Sequence, residues 1–306
     1  MSNTNDYIIT TLSSGSKDYN DLCGRQTQAP FSLGVPNART IRLTGAPYVS
    51  TLGNASNVFT REMISSSSGI GGAWVEGRVG NLAIEFSSTG TSDEKIQVVS
   101  SSAFYENGQS ATFTIAAWIS SSVTTSGVYQ GFISKQKTGG GDAGWTLGIW
   151  NNKQFVFQIG NGTGYNTARG GDATNGWTHV VGVRRAEDGI GGPDFTELWI
   201  NGSLVAASTT ANLADSGDSI QLGKYYTDSN LYTAQGKLDE VGYWDVDLDR
   251  ASIESLYSGS LSSAISSSNL QLYYNFEEGA GNSTVIDRSG NGHTGTLTNM
   301  DVGSCS

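Results

Sequence analysis

Short runs of alternating hydrophobic and polar residues occupy the chain from about residue 77 onward, and Gly, Asn, Asp and Ser separate them. A period of two predicts half-buried strands, and turn residues at such regular intervals predict a β-sandwich. The predicted strands cover residues 82–86, 96–100, 112–119, 131–135, 145–150, 154–159, 177–184, 195–200, 203–207, 220–224 and 237–244.

Two hairpin turns and one helix interrupt this pattern. Asn201-Gly202 lies between two alternating strands, and both residues tolerate the positive φ of a type I′ turn. Asn151-Asn152 is predicted to adopt the same geometry. The segment DRASIESLYSG predicts a short helix that Asp249 caps and that ends at Gly259. The glycine-rich segment 162–171 is interpreted as a turn.

The position of each tryptophan in the strand pattern predicts whether it is buried or exposed. Tryptophans within strand patterns are predicted to be core residues, and those beside glycine-rich loops are predicted to be exposed. The first group is Trp118, Trp150, Trp177, Trp199 and Trp244, and the second is Trp74 and Trp145. His179 lies in the middle of a strand and is interpreted as a packed residue, because no serine or cysteine nucleophile motif accompanies it.

Composition and charge narrow the class of protein. Glycine contributes 41 of 306 residues and charged residues make up only 15%, which fits many turns and excludes a coiled coil. A net charge of −11 repels phosphate backbones, so we expect no nucleic-acid partner. Because neither a signal peptide nor a long apolar stretch is visible, we expect synthesis in a cytoplasm and no membrane insertion.

The chain divides into three predicted parts. Residues 1–72 are rich in polar runs such as SSSSGIGG, and we expect an extended N-terminal arm that binds an assembly or copies of the same chain. Residues 73–260 are predicted to form the sandwich, and residues 261–306 to supply strands that complete it. Pairing of Cys23 with Cys305 stays open, although reduced thiols are favoured in a cytoplasm.

Residues 77–259 resemble the laminin-G-like and pentraxin-like domains, which are concanavalin A-like jelly-roll sandwiches. The resemblance rests on GNLAIEF with KIQVVSS, on FTIAAWIS, on GWTHVVGVRR with ELWINGSLVAAS, and on IQLGK with GKLDEVGYWDVDLDRASIESLYSG. It implies an all-β, concanavalin A-like jelly-roll fold.

The C-terminal stretch LYYNFEEGAGNSTVIDRSGNGHTGTLTN also resembles this family, although in the family it usually precedes the domain. Either the sandwich is permuted, or a second copy begins here. We favour permutation, because the 38 residues after Ser268 are too few for another core.

The same resemblance points to a ligand site in the loop LGKYYTDSNLYTAQG. Pentraxins bind calcium there with acidic and amide side chains, but tyrosines stand at those places in this sequence. We therefore expect no calcium or other cofactor, and we predict sugar binding by aromatic rings with flanking polar groups. The candidate ligand-binding residues are Tyr225, Tyr226, Asp228, Asn230 and Tyr232. The alternative is that these tyrosines fill a loop or a subunit interface.

Motifs for metal binding and catalysis are incomplete. Asp245, Asp247 and Asp249, and separately the turn at 287–292, partly match calcium loops but lack the carboxylate at the twelfth position. A strand end with a helix cap and an Asx-rich turn explain them. The paired-carboxylate motif of sandwich glucanases is missing as well. We expect a non-enzymatic protein, and a glycanase with scattered acids such as Glu240 is the least favoured alternative.

Two functions fit these features. The first is a structural and adhesive protein on the outside of a virion, such as a phage capsid decoration or tail protein, with other virion proteins and host-surface glycans as partners. It reconciles a chain without a visible signal peptide with a fold usually met outside cells. The alternative is a cell-surface or secreted carbohydrate-binding module.

Overall fold

A computed structural model describes residues 18–20 and 26–28 and, with short gaps, residues 74–259 and 267–302. The strands are β1 Asp18–Asn20, β2 Gln26–Gln28, β3 Trp74–Glu76, β4 Leu82–Phe86, β5 Lys95–Val98, β6 Phe113–Ser121, β7 Gln130–Ser134, β8 Ala143–Ile149, β9 Phe155–Asn161, β10 Tyr165–Gly170, β11 Thr178–Arg185, β12 Asp194–Ile200, β13 Ser203–Thr210, β14 Gln221–Leu222, β15 Gly236–Trp244, β16 Leu270–Tyr274, β17 Thr284–Val285 and β18 Gly295–Thr298. The helix α1 covers Arg250–Ser258, and two 3-10 turns cover Ser102–Phe104 and Ser267–Asn269.

Two antiparallel sheets pack face to face. The front sheet has the order β10-β9-β8-β7-β14-β5-β18-β17, and the back sheet has the order β13-β12-β11-β6-β15-β4-β3, with β16 also paired to β15. Side chains from the inner faces, such as Ile115 of β6 and Leu147 of β8, are fully buried between the sheets. The predicted all-β, concanavalin A-like jelly-roll sandwich is therefore confirmed.

Strand β6 shows how the sequence pattern builds two layers. Phe113 and Ile115 belong to the core between the sheets, whereas Ala116 points to a second apolar cluster on the outside of the back sheet. Ile253 and Leu256 of α1 pack into this second cluster. Because both faces of β6 are covered, the strand reads as an almost continuous apolar run.

Helix α1 begins and ends where the sequence predicts. The Asp249 side chain accepts a hydrogen bond from the Ser252 amide at 2.8 Å, and Gly259 follows the last helical residue. The other acids before the helix have separate partners, since Asp247 pairs with Arg185 at 3.1 Å. The three aspartates of the partial calcium motif thus serve as a strand end and a helix cap.

The C-terminal strands belong to both sheets. Strand β16 pairs with β15 in the back sheet, and β18 pairs with β5 in the front sheet. The Asp287 carboxylate lies between them and accepts hydrogen bonds from the amides of Tyr273, Ser289 and His293 at 2.9–3.0 Å. The turn at 287–292 is thus held by an aspartate whose two oxygens both accept protein hydrogen bonds. The N-terminal arm and both cysteines lie outside the described residues, apart from the short β1–β2 pair.

One predicted turn is confirmed and two are wrong. Asn201 and Gly202 have φ of +50° and +77°, as a type I′ turn requires. In the other hairpin the positive φ falls on Lys153, at +66°, because the loop takes three residues instead of two. The segment 162–171 contains strand β10, which pairs with β9 along its whole length. Its glycines masked the alternation of Tyr165, Thr167 and Arg169.

The predicted burial of the tryptophans is confirmed for some of them and wrong for others. Trp118, Trp199 and Trp244 are buried as predicted, and so is His179, whereas Trp150 and Trp177 are partly exposed. Trp145 is fully buried, because β8 already begins at Ala143 and turns this side chain into the core. The side chain of Trp74 lies outside the described residues.

Strand β15 carries a strained and buried acid. Glu240 has φ of +51° at an irregularity in the pairing with β6, and it is only 7% exposed. Burial raises the pKa of its carboxyl to about 6, although a hydrogen bond from the Tyr273 hydroxyl at 2.7 Å opposes part of this effect. The buried charge therefore costs stability at neutral pH.

Glu240→Gln should stabilise the protein at neutral pH and not in acid. The wild-type carboxyl is neutral in both states below its unfolded pKa of 4.5 and charged in both above about 6. Wild type therefore loses about 1–2 kcal/mol of unfolding free energy as the pH rises through this window. Glutamine avoids the loss and still accepts the Tyr273 hydrogen bond, so urea unfolding should favour the variant at pH 7 to 8.

The exposed Glu254 supplies the control, since Glu254→Gln changes a carboxylate at the surface of α1 and should not reproduce the gain in stability of Glu240→Gln at pH 7 to 8. A Glu240→Gln effect of equal size at pH 4 and pH 8 would contradict the assignment of the buried charge.

Candidate functional site

The loop predicted to bind ligand follows β14 and lies on the outer face of the front sheet. The Gly223 amide donates to the Phe132 carbonyl at 2.9 Å, and the Gly131 amide donates to the Tyr232 carbonyl at 3.0 Å. Both ends of the loop are thus bound to β7. Asp228 and Asn230, two of the predicted site residues, lie outside the described residues.

A glycine lets the loop backbone lie directly on the sheet. A Cβ atom at Gly131 would overlap the backbone nitrogen and Cα of Tyr225. The hydroxyls of Ser134 and Thr146 donate to the Tyr225 carbonyl at 2.6 and 2.9 Å. Two neighbouring strands, β7 and β8, therefore fix the loop backbone at this residue.

Tyr225 supports the site from below. Its side chain is only 2% exposed, and its hydroxyl donates to the Gln158 side chain at 2.9 Å. Burial raises the pKa of this hydroxyl well above its usual value, so the group stays a hydrogen-bond donor. The ring contacts Tyr129, Tyr226 and Tyr232. Tyr225 therefore holds these three rings in place and offers little surface of its own.

Four partly exposed rings form a continuous band above Tyr225. The order is Trp150, Tyr129, Tyr232 and Tyr226, with neighbouring ring centroids 4.8, 5.0 and 6.0 Å apart. We call these four residues the aromatic row. The predicted residues Tyr226 and Tyr232 belong to it, and the structure adds Tyr129 and Trp150 from the ends of β7 and β8.

Polar groups lie beside the aromatic row. The Asn151 amide donates to the Tyr129 hydroxyl at 3.0 Å. At the other end, the Tyr165 hydroxyl of β10 is within hydrogen-bonding reach of Asp142 and Tyr226. Burial and the neighbouring Asp142 raise the pKa of Tyr165. The row therefore has hydrogen-bonding groups at both of its ends.

Strand β10 also brings a cation to the row. Arg169 and Tyr165 pair with Val156 and Gly160 of β9, and their spacing puts both side chains on the outer face of the front sheet. The exposed Arg169 guanidinium lies 5.4 Å from the centre of the Trp150 ring. Neither residue was among the predicted site residues, because their segment was interpreted as a turn.

The acidic residues of β15 lie in the back sheet and not beside the aromatic row. The Asp239 carboxylate accepts hydrogen bonds from the amides of Arg78 at 2.7 Å and Glu240 at 2.9 Å. Within the described residues, no group of three or more His, Cys, Asp or Glu side chains has the arrangement to hold a metal ion.

Of the helices in the described part of the chain, none has the length and apolar character to cross a membrane.

The fold and its outer-face loop define a concanavalin A-like jelly-roll domain. Residues 90–254, more than half of the chain, match the Laminin G family model described as "Concanavalin A-like lectin/glucanases superfamily". This protein therefore belongs to that family, as its sequence resemblance implied. The comparison with curated protein sequences gives no significant match.

Solved structures with this fold include a candidate carbohydrate-binding protein from Bacteroides ovatus, with 17% identity, a TM-score of 0.50, and coverage of 74% of this chain and 64% of that one. A second structure is the CBM40 domain of a Ruminococcus gnavus sialidase bound to α2,3-sialyllactose. It is 16% identical to this chain, with a TM-score of 0.43, and the match covers 57% of this chain and 96% of the CBM40 domain. A third structure is domain 4 of an extracellular GH43 arabinanase from Geobacillus stearothermophilus in complex with arabinotriose. It is 15% identical to this chain, with a TM-score of 0.43, and the match covers 63% of this chain and 84% of the arabinanase domain. This chain spans less than two thirds of the B. ovatus protein, and the similarity shows the fold alone.

Gly131→Ala should displace the loop and destabilise the protein. The added methyl group meets the Tyr225 backbone, which cannot move without breaking its bonds to Ser134 and Thr146. We expect a loss of about 1–3 kcal/mol in urea unfolding, the usual cost of overpacking, and an altered near-ultraviolet circular dichroism spectrum.

Gly164→Ala is the matched control, because a Cβ there would meet no atom within 4 Å. Equal stability of the two variants would show that the approach of the loop to β7 does not restrict residue 131.

Proposed function

We propose that this protein is a non-catalytic carbohydrate-binding module and that a glycan binds along the aromatic row. The observation that carries the proposal is the row itself, in which four partly exposed rings continue one another on the outside of a rigid sheet. Sugars combine apolar C–H faces with hydroxyl groups, and they suit aromatic surfaces with a few well-placed polar groups.

The arrangement of the rings supports binding with little reorganisation. The buried Tyr225 contacts three of the rings, and its own carbonyl and hydroxyl are fixed by strands β7, β8 and β9. Rings held in this way lose little side-chain entropy when a ligand arrives. The Tyr165 hydroxyl and the Asn151 side chain would then orient the sugar through its hydroxyl groups.

The family and the fold favour this module over a virion component. Neither the match over residues 90–254 nor the described fold points to a capsid or tail protein. The B. ovatus relative is described as a candidate carbohydrate-binding protein, in agreement with our proposal. We accordingly infer an extracellular or cell-surface location and glycans as partners.

Removal of exposed rings from the row should weaken glycan binding. In a glycan array followed by titration calorimetry, Tyr226→Ala and Tyr232→Ala should each lower affinity about tenfold, since the loss of a stacked aromatic ring costs about 1–2 kcal/mol. Circular dichroism of both variants should stay native, because the two side chains lie at the surface of the loop.

Tyr105→Ala is the matched control, because Tyr105 is 63% exposed and stands outside the aromatic row. We expect wild-type affinity for it. The proposal would be abandoned if the row variants bound every array ligand as wild type does, or if wild type bound none.

A further inference from the structure

Arg169 differs from most other described cations, because no carboxylate in the part of the chain that the structure describes pairs with it. Among the described residues it makes no ion pair, although its guanidinium is exposed. Seven of the other described cations have a carboxylate oxygen within 4 Å, in the pairs Lys95–Asp93, Lys135–Asp215, Lys137–Asp218, Arg185–Glu197, Lys224–Asp93, Arg250–Glu254 and Arg288–Glu278. In a chain with a net charge of −11, acids are plentiful, so an exposed arginine with no carboxylate partner in the described part of the chain needs an explanation.

The position of Arg169 gives it access to a ligand. Its guanidinium lies over the Trp150 ring at the end of the aromatic row. A cation–π contact uses the charge and the flat face of the group. The N–H donors lie in the plane of the guanidinium, so they remain available to a bound molecule. A planar fork of donors beside an aromatic ring matches a carboxylate that is attached to a sugar ring.

We propose that the glycan bound by this protein carries a carboxylate and that Arg169 binds this carboxylate in a bidentate manner, which rests on the carbohydrate-binding function proposed above. The recognised class is an acidic glycan, with either a uronic acid or a sialic acid as the source of the carboxylate. Charge-assisted, bidentate hydrogen bonds give both affinity and orientation.

The charges at the two ends of the aromatic row also determine the orientation in which the glycan binds along it. Tyr165 and Arg169 are four residues apart on β10, so their backbones are separated by about 13 Å at about 3.3 Å per residue. Asp142 lies beside Tyr165, and it would repel a second carboxylate there. The acidic sugar therefore lies at the Trp150 end, and neutral sugars lie toward Tyr226.

The test compares acidic glycans with neutral counterparts of the same shape. Titration calorimetry would use an oligogalacturonate and its methyl ester as one pair, and 3′-sialyllactose and its methyl ester as the other. In at least one pair, wild type should bind the acidic member about tenfold more tightly. Arg169→Gln should remove this preference, so that the acidic and neutral members of that pair bind with equal affinity. Arg169→Lys should keep part of it, because the charge remains and the fork is lost.

Arg250→Gln is the control variant, since Arg250 is an exposed arginine on α1 and should keep the full preference. The preference should also weaken at high salt. The proposal would be overturned if wild type bound both members of each pair equally, or if Arg169→Gln kept the acid preference. Neutral glycans that bind, and lose affinity in Tyr226→Ala, would then leave the carbohydrate-binding function standing. Absence of binding to any glycan would remove both proposals.

Discussion

The contact between Gly131 and the backbone of Tyr225 determines the outer face of the front sheet. A side chain at residue 131 would lift the loop away from β7, and the Tyr225 carbonyl would lose the hydroxyls of Ser134 and Thr146. Because the Tyr225 ring lies under three other rings, its position sets theirs. Because Gly131 has no Cβ atom, the loop can lie on the sheet and its aromatic side chains can form one continuous surface.

The two outer faces of the sandwich have different roles. On the back sheet, α1 covers an apolar cluster that includes Val181, Trp199 and Trp244, so this face is a second core. On the front sheet, the covering element is a loop whose Tyr226 and Tyr232 rings are partly exposed, and its neighbours are polar groups of β9 and β10. The energy that holds the fold together comes from the two apolar layers. The front face is therefore free to carry a binding surface.

Much of the fold follows from the sequence because its signals are local. The alternation in β6, the Asn201-Gly202 turn and the Asp249 cap each depend on a few neighbouring residues. The site is different, because Trp150, Tyr129 and Tyr232 come from three separate segments and meet only through the pairing of β7 with β8 and with the loop. The sequence indicated the tyrosines of the loop, but it did not show that Tyr225 is buried. The glycines around β10 led to its interpretation as a turn, and Arg169 was therefore not predicted as a site residue.

Under the proposed function, rigidity and charge together would let a strongly acidic protein select among glycans. Long-range repulsion from a net charge of −11 slows the approach of any acidic ligand, but salt screens it beyond about 8–10 Å. At contact distance, the local groups would determine the affinity. The Arg169 guanidinium over Trp150 would bind the ligand without first leaving a carboxylate of the described residues. Asp142 at the opposite end would then disfavour the reversed orientation of the ligand. The proposed selectivity would then follow from one attractive and one repulsive charge at fixed places on the same face of the sheet.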